Sequence, residues 1–332
     1  MIEWELELHN VCETVPAFGG RILERLPGKV REKLENFRTF KAEYCAGCEI
    51  RFVSEAYVTQ VTLSCLYNSG IITVYCGEAT YLTRHIREGE TVTLHLERPE
   101  FFDTMVTQAR KHGFAPAVWR IHLPAAKIVL QDVSAFGKKL RPPRPEEKPA
   151  RTFLAYGSSI TQGEQSVNNA LAYVHQTARL LCADVCNLGF SGACFCEPAL
   201  AEHIASRDDW DFALLELGVN MRLRFTPEAF RQRAEYFIGR ICSNNPEKKV
   251  FAVTIYPNAA TWQRNQYWDH ERDFNDILRE ISGSDKHPNL TLIEGNEIMT
   301  ASSYLNQDFI HPSDYGHMEM GRNLAEILRQ YI

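Results

Sequence analysis

The sequence predicts two unlike halves: an antiparallel β-sandwich, then a doubly wound α/β domain on a parallel sheet. Three observations point there. Short β-prone runs fill residues 41–133, four prolines crowd into 141–149, and from about residue 150 apolar runs alternate with helical periodicity. At roughly 100–200 residues per domain, 332 residues suit two. The expected division is 1–140 for the sandwich, 141–149 for the linker and 150–332 for the α/β domain.

Residues before Lys41 carry a weak signal, with a short helix expected over 30–37. Runs at 49–53, 57–66, 71–76, 91–97, 118–123 and 127–130 are rich in Val, Ile, Thr and aromatics. Thr91-Val92-Thr93-Leu94-His95-Leu96 alternates with period two, which places one face in a core and one towards water. Asn68-Ser69-Gly70 and Arg87-Glu88-Gly89-Glu90 are turn signals between such runs. Strands at this spacing suggest a sandwich or jelly roll. Arg141-Pro142-Pro143-Arg144-Pro145-Glu146-Glu147-Lys148-Pro149 fits neither a helix nor a central strand and reads as an extended, stiff connection. It predicts a fixed arrangement of the halves, with the first forming a wall beside the site in the second.

Beyond it, 153–156, 185–188, 211–217, 249–256 and 290–293 read as buried parallel strands. Leu171, Val174, Ala178 and Leu181 fall at helical spacing. Thr226-Pro227-Glu228 opens another helix with an N-cap, a first-turn proline and an acid at the positive end. Phe274, Ile277, Leu278 and Ile281 mark a third, and Leu324, Ile327 and Leu328 the last.

Hydrophobic residues make up 45% and charged residues 23%, which excludes a disordered or low-complexity chain. The net charge of −6, without a basic block, argues against a nucleic-acid partner. No apolar run approaches the roughly 18 residues of a membrane span. The N-terminus lacks the basic-then-apolar layout of a signal peptide, so the expected location is cytoplasmic. Ten cysteines then read as reduced thiols. Cys45 and Cys48 have the spacing of half a zinc site, but no second half is evident. Cys194 and Cys196 read as packing thiols. No metal or cofactor is expected, and a homo-oligomer is left open.

In open α/β sheets the site lies beyond the carboxyl ends of the strands. Four polar clusters fall there: Gly157-Ser158-Ser159-Ile160-Thr161-Gln162-Gly163, Gly189-Phe190-Ser191-Gly192, Gly218-Val219-Asn220 and Asp308-Phe309-Ile310-His311-Pro312. They supply a hydroxyl, an imidazole, a carboxylate and neutral donors, an inventory for nucleophilic acyl transfer. On residue types alone, Ser158 and Ser159 are equal candidates for the nucleophile. Asn220 alone could be a loop residue, and His311 alone a turn residue.

The order of these blocks resembles the SGNH (GDSL-type) hydrolase superfamily, which spreads Ser, Gly, Asn and His over four blocks. The resemblance runs from about Phe153 to the C-terminus and matches Ser159, Gly192, Asn220 and the Asp308/His311 pair. Gly-Ser-Ser-Ile and Gly-Val-Asn-Met depart from the usual Gly-Asp-Ser-Leu and Gly-X-Asn-Asp. The resemblance implies a flavodoxin-like sheet, with Ser159 rather than Ser158 as nucleophile. His311 is then the base, Asp308 its orienting carboxylate, and the N–H groups of Ser159 and Gly192 with the Asn220 amide the oxyanion hole. A β-sandwich ahead of such a domain looks like family 2-type carbohydrate acetylesterases and a group of bacterial acyltransferases.

The expectation is a serine esterase acting on small O-acyl esters, most simply O-acetyl groups on a carbohydrate. The rivals are an acyltransferase with the same triad and a carbohydrate-binding protein with a vestigial hydrolase domain. Trp119, Trp262, Trp268 and Tyr267 are candidates for lining the substrate cleft. His175 and His317 read as structural.

Overall fold

The computed structural model describes residues 5–34, 42–100 and 113–332. Two five-strand antiparallel paths face each other in the first half. One runs in the order β1 (Glu7–His9), β4 (Glu49–Ser54), β9 (Trp119–His122), β6 (Gly70–Cys76), β7 (Ala79–Ile86), with β11 (Leu140–Arg141) also pairing β4. The other runs β2 (Glu13–Ala17), β3 (Gly20–Glu24), β10 (Lys127–Ser134), β5 (Val58–Tyr67), β8 (Thr91–Glu97). Ile50, Phe52, Ile72, Val74, Trp119 and Ile121 of the first sheet share one core with Leu63, Leu94, Ile128 and Leu130 of the second. In β8, Val92, Leu94 and Leu96 are buried and the residues between them exposed, as the alternation predicts. Trp119 is part of this core, so it does not line a cleft.

Sequence reading missed β1 to β3 and β7. Outward-facing residues dominate β7, which ends its sheet, so no apolar alternation marks it. Of the helix expected at 30–37, only a single turn, α1 (Gly28–Arg31), is described, and 35–41 lie outside the described residues. The proline-rich stretch is less uniformly extended than expected. Pro145–Glu147 form a 3₁₀ turn, and Glu147 accepts two bonds from Arg141 at 2.6 and 2.7 Å.

The second half is a parallel sheet in the order β13 (Asp184–Gly189), β12 (Thr152–Gly157), β14 (Phe212–Glu216), β15 (Lys249–Val253), β16 (Leu290–Ile293). Renumbered from β12 this is the 2-1-3-4-5 order of flavodoxin-like folds, whose crevice opens between the first and third strands. Alternate residues face opposite cores. Leu154, Tyr156, Ala213, Leu215 and Ala252 pack on one side with α4 (Pro198–Ala205), α5 (Pro227–Asn244) and α7 (Trp268–Ser282). Phe153, Ala155, Phe212, Leu214 and Phe251 pack on the other with α3 (Tyr173–Leu181) and α9 (Asp314–Leu328). Leu26, Val30, Leu34 and Ala42 join the first of these cores, so the N-terminal region contributes directly to the α/β half. Among the described residues no helix is long and apolar enough to cross a membrane.

The halves meet along β13, an edge strand with all six residues buried. Among the described residues no further strand pairs with its free side, and side chains do so instead. His9 donates to Val185 O at 2.8 Å, Asn10 to Asn187 O at 2.9 Å, and Arg25 to Asn187 O and Gly189 O at 3.2 and 3.0 Å. Beside them lies a buried ionic cluster. Arg51 grips Asp184 with two bonds, at 2.6 and 2.8 Å, and Glu49 at 2.7 Å. Glu49 also takes two bonds from Arg120, at 2.7 and 2.9 Å. Nε2 of His122 lies 3.3 Å from Nε2 of His175. Burial pushes His122 down to about 4 and His175 well below its ordinary value. Against the opposing effect of burial, the Arg51 charge holds the Asp184 carboxyl below its ordinary range.

Candidate active site

Ser159 follows β12, on one side of the crevice, as the first residue of the short helix α2 (Ser159–Gln162). Ser158 is the N-cap: its hydroxyl accepts the N–H of Ile160 at 3.1 Å. That occupies the Ser158 hydroxyl, while the Ser159 hydroxyl lies 2.7 Å from Nε2 of His311. The physical symmetry between the two serines is thereby broken. The turn is tight enough to need glycine at 157, where a Cβ would fall 2.2 Å from Thr161 Oγ1.

His311 and Asp308 share the loop between the last 3₁₀ turn (Ser302–Tyr304) and α9. The loop closes on itself through an isolated bridge between Leu305 and Pro312, and Asn306 N–H donates to His311 O at 2.8 Å. Ala259 N–H, beyond β15, donates to Phe309 O at 2.8 Å and ties the loop to the sheet. Nδ1–H of His311 donates to Asp308 Oδ2 at 2.6 Å, and the N–H groups of Ile310 and His311 donate to Oδ1 at 3.0 Å each. Against burial, these bonds hold the Asp308 carboxyl below its ordinary range. An ionised Asp308 orients the imidazole with Nε2 facing Ser159, the geometry a general base needs.

The other two predicted residues lie on loops tied to this pair. Gly192 has φ +65°, and nothing lies within 4 Å of where its Cβ would be, so its backbone faces open space. Ser191, just before it, is held by α2, since its N–H donates to Gln162 Oε1 at 3.1 Å. Its hydroxyl donates to Glu164. Asn220 follows β14, across the crevice from Ser159. Its Oδ1 accepts the N–H of Cys194 at 3.1 Å, which commits the oxygen and leaves Nδ2 as the end that can donate. Ser159 N–H stands in the first turn of α2, where helical N–H groups lack intrahelical acceptors.

Several further residues fall into place. Trp262, in the short helix Ala259–Gln263, is 46% exposed, and Phe309, on the His311 loop, 53%. Tyr267 is half-buried and lies under the Arg222 guanidinium, 4.9 Å from ring centre to Cζ. His317 is buried and His175 half-buried, and His317 Nδ1 accepts the N–H of Tyr173 at 3.2 Å. The thiols of Cys45 and Cys48 donate to Leu23 O and Asn10 O. Among the described residues no group of three His, Cys, Asp or Glu could hold a metal ion. The sandwich reaches the loop that follows α2: Ala125 N–H donates to Asn169 Oδ1 at 3.1 Å, and Asn168 donates to Thr73. Sequence reading missed Gln162, whose position on the nucleophile turn was legible but whose partner at 191 was not. It also passed over Glu216, a lone acid in the apolar run Leu214-Leu215-Glu216-Leu217.

Residues 155–318 match the GDSL-like lipase/acylhydrolase family. No curated protein matches the chain. Among solved structures, a salicylyl-acyltransferase from a tetracycline biosynthetic pathway superposes with a TM-score of 0.83 at 14% identity, covering 98% of this chain and 94% of that one. A family two carbohydrate esterase from Cellvibrio japonicus gives 0.65 at 14% identity, with 98% and 95% coverage. Another from Clostridium thermocellum, in complex with cellohexaose, gives 0.57 at 16% identity, with 86% and 92% coverage. At these identities the likeness is one of fold, and it extends across sandwich and α/β half together. With three blocks following strands of a flavodoxin-like sheet and the fourth on the loop before α9, residues 155–318 form a GDSL-like lipase/acylhydrolase domain.

Proposed function

We propose that the protein is a serine esterase that cleaves small O-acyl esters, foremost O-acetyl groups on a carbohydrate, through a covalent acyl-enzyme. The observation that carries this reading is the unbroken line from Ser159 Oγ through His311 to Asp308, with spacings of 2.7 and 2.6 Å. His311 Nε2 takes the Ser159 proton as Oγ attacks the ester carbonyl, and Asp308 stabilises the resulting imidazolium. The carbonyl oxygen gains negative charge in front of Ser159 N–H, Gly192 N–H and Asn220 Nδ2. Donors of this kind are worth about 3–4 kcal/mol each in such sites. The imidazolium returns its proton to the leaving alkoxide, which departs as the alcohol. Water, deprotonated by the same His311, then attacks the acyl-serine and releases the acid. An alcohol in the place of that water would make the same chemistry an acyl transfer.

The test is a panel of p-nitrophenyl esters of increasing chain length alongside acetylated sugars, with and without an added alcohol acceptor. Turnover should be greatest on acetyl esters and should persist in a chelator. No turnover on any ester would overturn the reading. Acylated alcohol formed in preference to free acid would move it to acyl transfer.

A further inference from the structure

Strand β14 ends on a carboxylate that the chemistry above leaves without a role. Glu216 is 1% exposed, and among the described residues no lysine or arginine pairs with it. Its Oε2 accepts the N–H of Ser158 at 2.6 Å and the hydroxyl of Thr161 at 3.1 Å, while Oε1 has no hydrogen-bond partner among the described residues. Thr161 is bonded in turn to the Tyr173 hydroxyl at 2.9 Å. A Cβ at Gly157 would lie 2.6 Å from Oε2, so the backbone runs directly against the carboxylate. One buried group thus ties down the residue before Ser159 and the residue two beyond it. An uncompensated buried carboxylate is costly, and an apolar side chain of similar size would be cheaper to bury.

We propose that Glu216, in its ionised form, is a positioning residue for the nucleophile, holding Ser158 and Thr161 so that the Ser159 hydroxyl stays on the His311 line. The proposal rests on Ser159 being that nucleophile. Hydrogen bonds to an ionised acceptor are roughly twice as strong as neutral ones, and a loosened reacting group can cost about a hundredfold in rate. Burial raises the Glu216 carboxyl to about 7, so this grip tightens as pH rises through neutrality. The titratable groups facing it are His311 from the catalytic loop, Tyr173 from α3, Tyr256 beyond β15, and Cys194 and Cys196 beyond β13. Of these only His311 becomes a cation, and a carboxylate beneath it favours the imidazolium formed during acyl transfer.

Glu216→Gln keeps the size and one acceptor oxygen but is neutral at every pH. The full chain and this variant are compared from about pH 5.5 to about pH 8.5 by p-nitrophenyl acetate turnover and by the rate at which a fluorophosphonate probe labels Ser159. Near pH 8.5 the variant should lose about tenfold or more in kcat and in labelling rate, with KM within about threefold. The deficit should shrink towards acid pH, where Glu216 itself is neutral. The variant's melting temperature should also gain on that of the wild type as pH rises from about 4.5 to about 7, and the difference should be constant above that. A carboxyl with a raised pKa in the fold loses stability as pH climbs from its unfolded value through about 7. A deficit constant across pH, or kcat within about twofold near pH 8.5, would overturn the proposal. If Glu216→Gln does not fold, Thr161→Val and Thr161→Ser decide, since the valine should lose kcat and the serine keep it. Equal activity in those two would overturn it as well. Wild-type protein that neither labels nor turns over would remove the nucleophile assignment and this proposal together. Labelled wild type with a pH-flat deficit removes this proposal alone.

Discussion

Two clusters of histidines and carboxylates sit in this molecule, and they are built in opposite ways. In the Asp308–His311–Ser159 line the imidazole and the carboxylate stay partly open, the His311 side chain being 18% exposed and that of Asp308 32%. In the cluster where the halves meet, Glu49, Arg51, His122 and Asp184 are all buried, and the carboxylates are saturated by arginines. The larger departures from ordinary proton affinity belong to the second cluster, where His122 is pushed down to about 4. Perturbed titration therefore does not by itself locate the chemistry here. The proposed reactive line is distinguished by an oxygen and a nitrogen that face each other beyond the carboxyl ends of the strands.

The contrast can be broken most sharply at the nucleophile. Ser159→Ala should lower kcat by about 10⁴–10⁶ with an unchanged melting temperature, while Ser158→Ala keeps most turnover and loses about 1 kcal/mol of helix capping. The reverse pattern in steady-state kinetics would exchange the two serines. Arg51→Met does the opposite kind of damage. Leaving Asp184 buried without the guanidinium that grips it should cost about 3–5 kcal/mol in urea unfolding, with kcat per folded molecule little changed. A third test is acid titration of stability. His122 is held neutral in the fold, so its contribution is complete above the unfolded value of 6.5 and is lost as pH falls through about 4. Melting temperature should drop across that window, and His122→Asn should flatten the drop. A smaller effect than that of Arg51→Met is expected for Gly192→Ala. Its left-handed φ of +65° should cost about 1–2 kcal/mol, with no steric clash added because the space beside it is open.

Much of the proposed reactive line can be read from the chain. Ser159, Gly192, Asn220 and His311 each follow a strand or precede a helix, and the residue types alone limit what such a set can do. The parallel strands were legible too, because burial on both faces leaves continuous apolar runs. The cluster between the halves was not. Arg51 and Asp184 lie 133 residues apart, and nothing local to either shows that they meet. The strands β1 to β3 escaped for a related reason. Their residues serve the other half as much as their own sheet, with His9, Asn10 and Arg25 turned towards β13 and Leu26 entering the α/β core. Glu216 was visible as an anomaly, one acid among leucines, yet its meaning depends on the turn of β12 packing against it.

The side chains that close the edge of β13 also bear on how the protein is made. His9, Asn10 and Arg25 precede their backbone partners by 162 to 177 residues, so a ribosome finishes the cover long before the strand it covers. An uncovered edge of a parallel sheet is a template for pairing with other chains, and nascent domains are most exposed to that hazard while incomplete. Here the first half to emerge can receive β13 as it appears. The order of synthesis makes the sandwich a built-in escort for the half that carries the chemistry.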